Sequence, residues 1–165
     1  MKPRRLSDVE VRELAEREAP LKLPGENLEG ADLSGISLRG ADLEGAYLRN
    51  ARLVRTDLSG ANLAWAHLES ANMEGARLLE AQLTHANLEQ AHLLRASLAM
   101  SDLRWARMRE ANLTDADLVG ARLEGTEMWK TQLAGTRITR DGLASIEPHL
   151  SATQLAALHR YGDHH

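Results

Sequence analysis

The chain has 165 residues, with 24 acidic and 20 basic side chains, no cysteine, no phenylalanine and only 3% aromatics. A net charge of −4 gives no overall field for neutralising nucleic-acid phosphates, and the missing cysteines exclude disulfides and thiolate metal sites. No stretch approaches a membrane span, and the start MKPRRLSDVEVREL carries basic residues with no apolar run behind them, which is not a secretory signal. The expectation is one soluble, cytoplasmic domain, without direct nucleic-acid or membrane contact, whose core is built from small aliphatic side chains.

Residues 1–25 read as an N-terminal cap and linker. Ser7 with Glu10 forms a capping box, and Leu6 with Val11 occupies the hydrophobic-staple positions. The helix they start is expected to run from Asp8 to Glu18 and stop before Pro20. Val11, Leu14 and Ala15 form the face that would cover whatever follows.

From Glu26 a period of five holds without insertion to Ile138. Central positions 28, 33, 38 and onward to 138 define 23 pentads; 19 of these residues are Leu and the others are Met73, Met108, Met128 and Ile138. Two positions before each centre stands Ala in 16 of the 23 cases, with Thr56, Ser101, Thr126, Thr131 and Thr136 among the exceptions. On an α-helix five residues overshoot a full turn by roughly 140°, so the leucines would spread around the cylinder. On a flat strand an odd period would turn successive leucines to opposite faces. A chain that bends by about 90° at each pentad keeps every leucine inside, so four pentads close one coil and the coils stack at roughly 4.8 Å per layer. Leu63, Leu68, Met73, Leu78, Leu83 and Leu88 are then core, and the small residue beside each centre also points inward.

The run A-[DN]-L-x-x, intact at ADLSG (31–35), ADLEG (41–45), ANLAW (61–65) and ANLTD (111–115), resembles the pentapeptide-repeat family. The resemblance covers residues 26–140, with Glu26 and Ile36 departing from the small inward residue near the N-terminal end. It implies an all-β solenoid, a right-handed quadrilateral β-helix. Twenty-three pentads give nearly six coils and a rod about 28 Å long, closed by a short capping α-helix at each end.

Residues 141–165 read as the C-terminal cap. Ser151 with Gln154 repeats the capping box, Leu150 with Leu155 the staple, and Gly162 ends the helix. Leu150, Leu155 and Leu158 are its apolar contacts. A lid on a monomer is the favoured use of this helix, because its apolar face is small; the other use is pairing two chains about a twofold axis. The terminal His164-His165 pair reads as tail rather than metal site.

Residues twenty apart should stack in columns. Trp65, His85 and Trp105 share one column, bracketed by Gly45 and Gly125, and the adjacent column holds Tyr47, His67, Asn87 and Arg107. Tyr47, Trp65, His67, His85, Trp105 and Arg107 form the candidate partner-binding stripe, since exposed Trp, Tyr and Arg are typical interface anchors. The competing account is that each ring only shields the turn beside it. A metal site at His67 and His85 is the weakest option, for want of carboxylates fixed nearby.

The sequence holds no G-x-x-x-x-G-K-[ST], G-x-S-x-G or H-E-x-x-H, and an insertion-free rod offers no enclosed pocket, so neither an enzyme nor a cofactor is expected. The first functional expectation is a rigid protein-interaction or scaffold module. The second follows from the resemblance to quinolone-resistance members of the family, which resemble a B-DNA rod in size and negative surface and engage DNA gyrase or topoisomerase IV. Charge argues against it: residues 26–140 carry 16 acidic and 13 basic side chains spread through the same faces, and the loops used by some of those members are absent.

Overall fold

The pentad ANLAW (61–65) shows how five residues make one side of a coil in the computed structural model, which describes residues 2–17 and 20–162. Each of its N–H groups finds an acceptor. Ala61 donates to Leu58 O (3.0 Å), closing a β-turn, and Asn62 donates back to Ala41 O (2.8 Å). Leu63 and Trp65 donate forward to Gln82 O (2.7 Å) and Thr84 O (3.0 Å). The remaining N–H, of Ala64, is taken by the Asn62 side-chain oxygen at 3.1 Å. Asn or Asp before the central leucine therefore has a structural job: its carbonyl or carboxylate oxygen bonds the N–H two residues on, an Asx turn that water would otherwise have to satisfy. The same bond recurs at Asp32–Ser34, Asn72–Glu74, Asn87–Glu89 and Asn112–Thr114.

The corner itself is the fifth residue, held at positive φ. Glycine serves there without steric cost, as at Gly30 (φ 65°), and the turn is of the type that demands φ > 0 at its third residue. Thirteen non-glycine residues occupy the same conformation, so the corner is imposed by stacking of the coils rather than by local preference.

Parallel pairing links residues twenty apart in four columns, of which Asn27–Tyr47–His67–Asn87–Arg107–Glu127 is one. The extended part of each pentad is a single residue between turns, so the expected all-β solenoid is held mostly by one-residue rungs. Among the described residues, two-residue strands occur only at β1 (Asp117–Leu118) and β2 (Arg137–Ile138), which pair in parallel. The pattern also starts one pentad earlier than the sequence reading placed it. Leu21 and Leu23 are buried, and Lys22 pairs with Asp42, so Leu21–Gly25 belongs to the coil and not to the cap.

The core is one continuous stack. Every central residue from Leu28 to Leu133 is at most 2% exposed, including Leu63, Leu68, Met73, Leu78, Leu83 and Leu88 at 0%. Where Thr or Ser replaces the inward Ala, its hydroxyl is satisfied: Thr56, Thr126, Thr131 and Thr136 donate to carbonyls in the coil before, at 2.7–2.9 Å, and Ser101 donates to Leu98 O. A hydroxyl so bonded costs the core little.

Both ends of the stack are covered, and side chains of the caps bond several carbonyls of the end coils. Helix α1 (Asp8–Arg17) begins at the Ser7/Glu10 box, with Ser7 N to Glu10 Oε2 at 2.7 Å and Glu10 N to Ser7 Oγ at 3.2 Å. Val11 is fully buried, and Leu6, Leu14 and Ala15 lie against the same core. Carbonyls of the first coil, which have no preceding coil to bond, are capped by arginines: Arg5 on Glu29 O (2.6 Å) and Arg12 on Asp32 O (2.9 Å). At the other end the sequence reading missed a helix, α2 (Arg140–Ile146), which starts directly after β2 with Thr139 as its N-cap. A 3₁₀ turn (Glu147–His149) leads to α3 (Ala152–Gly162), opened by the Ser151/Gln154 box. Gln154 Nε2 donates to Met128 O (2.8 Å) and Thr131 O (3.0 Å), and Leu158 is 5% exposed against the core. Glu18 and the His164-His165 pair lie outside the described residues.

Leu83→Ala is expected to lower stability by about 2–5 kcal/mol in urea denaturation, and Asn112→Ala by about 1 kcal/mol through the Thr114 N–H left without its partner. Glu74→Gln, outward and without a side-chain hydrogen bond or ion pair among the described residues, should leave the urea midpoint unchanged. Acid should act first on α1. The Arg4 guanidinium, with the Ser7 N–H and hydroxyl, lowers the Glu10 carboxyl from 4.5 to about 2, so the support it gives is fully present above about pH 4.5. It is lost as pH falls toward about 2, and amide exchange across α1 should rise in that window before exchange in the coils does.

Candidate interaction surface

The corner column that carries Trp65 follows from this geometry. A left-handed corner residue projects its side chain along the stack, so residues twenty apart lie one above another. Trp65, His85 and Trp105 have φ of 60°, 58° and 61°. Trp65 and His85 stack with centroids 4.0 Å apart and planes 9° apart; His85 and Trp105 are looser, at 6.5 Å and 10°. A close aromatic pair is worth roughly 0.5–1.5 kcal/mol beyond its buried area, which offsets part of the left-handed strain. Above Trp105 the column ends at Gly125, and a Cβ placed there would run into the indole ring. Gly125 is what allows Trp105 to lie over the next coil.

The adjacent column starts with Tyr47 and His67 stacked at 4.7 Å and 4°. It then changes character: Arg107 donates to Glu89 at 2.6 Å, and Asn87 is used in the Asx turn with Glu89. The structure thus brings Trp65, His85 and Trp105 into one stack and Tyr47 and His67 into another, while Arg107 is tied to a carboxylate. Trp65 and Trp105 are 57% and 58% exposed. His67 Nδ1 lies 3.9 Å from Glu69, but among the described residues no three His, Asp or Glu side chains converge as metal ligands. Nor, among them, is any helix long and apolar enough to cross a membrane.

One residue escaped the sequence reading. Trp129 is 50% exposed, with the Lys130 ammonium 4.1 Å and the Arg109 guanidinium 5.4 Å from its ring centroid. It stands 24 residues after Trp105, off the column, and walls a hollow of about 550 Å³ that also touches Trp105, Glu127 and His149. The third tryptophan of a chain without phenylalanine was the available signal. All three are on the surface, while the core is Leu, Ala and Met with Val11 and Ile146 at its ends.

The charges around these rings are paired along and across the columns. Arg49 meets Glu69 (3.0 Å), Arg52 meets Asp32 (3.4 Å), Arg39 meets Asp57 (3.3 Å) and Arg137 meets Asp117 (3.2 Å). Arg104 grips Asp102 at 2.6 Å, and that bond, against partial burial, holds the Asp102 carboxyl below the usual carboxylate range. The faces of the rod therefore alternate in sign over a few ångströms.

Eight copies of the model for pentapeptide repeats match the chain, within residues 27–63, 61–98, 76–115 and 101–140. Among solved structures, a pentapeptide repeat protein from the cyanobacterium Cyanothece 51142 is similar at 27% identity, over 78% of this chain and 99% of that one, with a TM-score of 0.39. A pentapeptide repeat protein from the Arabidopsis thaliana thylakoid lumen is 24% identical over 76% of this chain and 77% of its own, with a TM-score of 0.40. A trypsin-treated variant of QnrB1, a plasmid-mediated fluoroquinolone resistance protein, is 18% identical over 73% of this chain and 67% of its own, with a TM-score of 0.45. No curated protein matches the chain.

Gly125→Ala should displace the Trp105 ring and add left-handed strain of roughly 1–2 kcal/mol. Its tryptophan emission is expected to shift to longer wavelength and its melting temperature to fall; an unchanged spectrum would show that the indole does not lie over Gly125.

Proposed function

The chain belongs to the pentapeptide-repeat family, and from that premise we propose that it is a non-enzymatic, rigid protein-binding module that engages its partner through the Trp65–His85–Trp105 corner and the neighbouring Tyr47–His67 stack. In this reading the rod is a right-handed quadrilateral β-helix of about six coils once the pentad Leu21–Gly25 is included. The observation that carries the proposal is the exposure of Trp65 and Trp105, 57% and 58%, on backbone that cannot easily move. Their N–H groups are bonded into the next coil, so the rings are presented with little ordering left to do on binding. Exposed, preorganised tryptophan is the residue type that dominates protein interfaces. A monomer is supported by Leu158, whose side chain is used in the lid and has little surface left for a second chain.

The gyrase and topoisomerase IV reading stands second. A phosphate mimic needs a field of one sign, and the arginines at 39, 49, 52, 104, 107, 122 and 137 are each within 4 Å of a carboxylate. A supercoiling assay separates the two: no effect of excess protein on gyrase, with or without a quinolone, agrees with the interaction module, and inhibition or rescue would promote the second reading.

Chemical cross-linking in cells, followed by affinity measurement with the captured partner, tests the corner directly. Trp65→Ala combined with Trp105→Ala should weaken the partner by 2 kcal/mol or more, about 30-fold, while Glu74→Gln binds as the wild type does. Retention of full affinity by the double variant, with an unchanged circular dichroism spectrum, would remove the corner from the interface.

A further inference from the structure

At the C-terminal end the ladder of hydrogen bonds stops short of its regular course. In the coil below, Met108, Glu110, Leu113 and Asp115 donate their N–H groups to carbonyls nineteen residues on, at 2.8–2.9 Å. The equivalent groups of Lys130 and Leu133 have no such acceptor among the described residues, because after Thr139 the chain leaves the coil for α2 and the 3₁₀ turn. Beside them lies a hollow of about 710 Å³ between the last coil and α3. Its walls are largely apolar: Trp129, Leu133, Pro148, Leu150 and Ala157. Among the described residues Lys130 is the one formally charged residue that lines it, and no carboxylate does. Among the described residues neither Lys130 nor Arg109, on the Trp129 ring, has a carboxylate within 4 Å; the same holds for Arg55, Arg77 and Arg95, whereas Arg49 and Arg104 are paired.

We propose that this hollow binds an extended acidic peptide segment of a partner protein, laid along the edge of the last coil as a further rung. A peptide carbonyl accepts from the N–H of the exposed Lys130, which is how an exposed sheet edge takes up an added strand. A large apolar side chain of the peptide lies between Trp129 and the Pro148–Leu150 wall, and a flanking carboxylate replaces the indole ring as the partner of the Lys130 ammonium. Charge selects the occupant: a hollow lined by one ammonium and no carboxylate favours an anionic segment and repels a basic one. The inference is independent of the Trp65–Trp105 corner, since neither residue lines this hollow.

The test is selection of a random dodecapeptide display library on the full chain, followed by affinity measurement with the enriched peptides. Enriched sequences are expected to be net negative and to carry a large apolar residue. Their affinity should fall at least tenfold with Trp129→Ala and with Lys130→Glu, and should fall again between 50 and 500 mM salt. Thr153→Glu, an exposed change on α3 that places a carboxylate in the hollow, serves where Trp129→Ala alters the melting temperature. The Trp65→Ala/Trp105→Ala double variant should bind these peptides as wild type does, so that loss of one site is distinguishable from loss of the other. Enrichment of basic or neutral peptides, no enrichment, or binding that survives both Trp129→Ala and Thr153→Glu overturns the proposal. So does sedimentation showing that a second copy of the chain occupies the hollow.

Discussion

The structure depends on one constraint: a corner residue held at positive φ whose N–H is nevertheless bonded to the next coil. Trp65 N on Thr84 O and His85 N on Arg104 O show the arrangement at positions where an L-residue is strained. The strain is tolerated because the four bonds around it (the turn, the two central rungs and the Asx bond) leave the chain nowhere else to put its polar groups. Rigidity at the corners then becomes a property of the surface. A tryptophan placed there is displayed as firmly as a core leucine is packed.

The same stacking explains why charge and aromatic residues behave so differently on this rod. Arginines and carboxylates meet their neighbours twenty residues away and cancel, as Arg49 with Glu69 and Arg137 with Asp117 do. Rings in equivalent positions reinforce one another instead, with Trp65 over His85 and Tyr47 over His67. Much of the charge on the faces is paired, while the aromatic corner and the C-terminal end are chemically distinct. Recognition is thereby concentrated at a few places on an otherwise repetitive surface, and the ends matter because only there is the ladder incomplete.

Much of the coil was legible because leucine and alanine recur at a fixed offset that one geometry alone can bury. Leu83 and Ala81 could be placed inward from spacing, and Trp65 could be aligned with His85 and Trp105 by counting twenties. The role of Asn62 was not legible, since outward polarity looks the same whether a side chain is solvated or bonds the N–H of Ala64. Helix α2 was missed for a tertiary reason. RDGLASI is short and carries a glycine, and the helix stands because Thr139 caps Gly142 while Ile146 is buried in the core. Trp129 was missed because only Arg109 among its neighbours comes from its own column, while Lys130 and His149 come from a corner and from the lid.

Amide hydrogen exchange resolved by residue tests most directly whether the corners are as fixed as the core. The N–H groups of Trp65, His85 and Trp105 should be protected to the same degree as those of Leu63, Leu83 and Leu103, since all six donate to the following coil. Protection should be lower at the exposed Lys130, whose N–H has no such acceptor among the described residues, than at Gln132 and Arg137, which donate to the coil before. Rapid exchange at 65, 85 and 105 beside slow exchange at 63, 83 and 103 would contradict the account, because the tryptophans would then sit on turns that open independently of the stack.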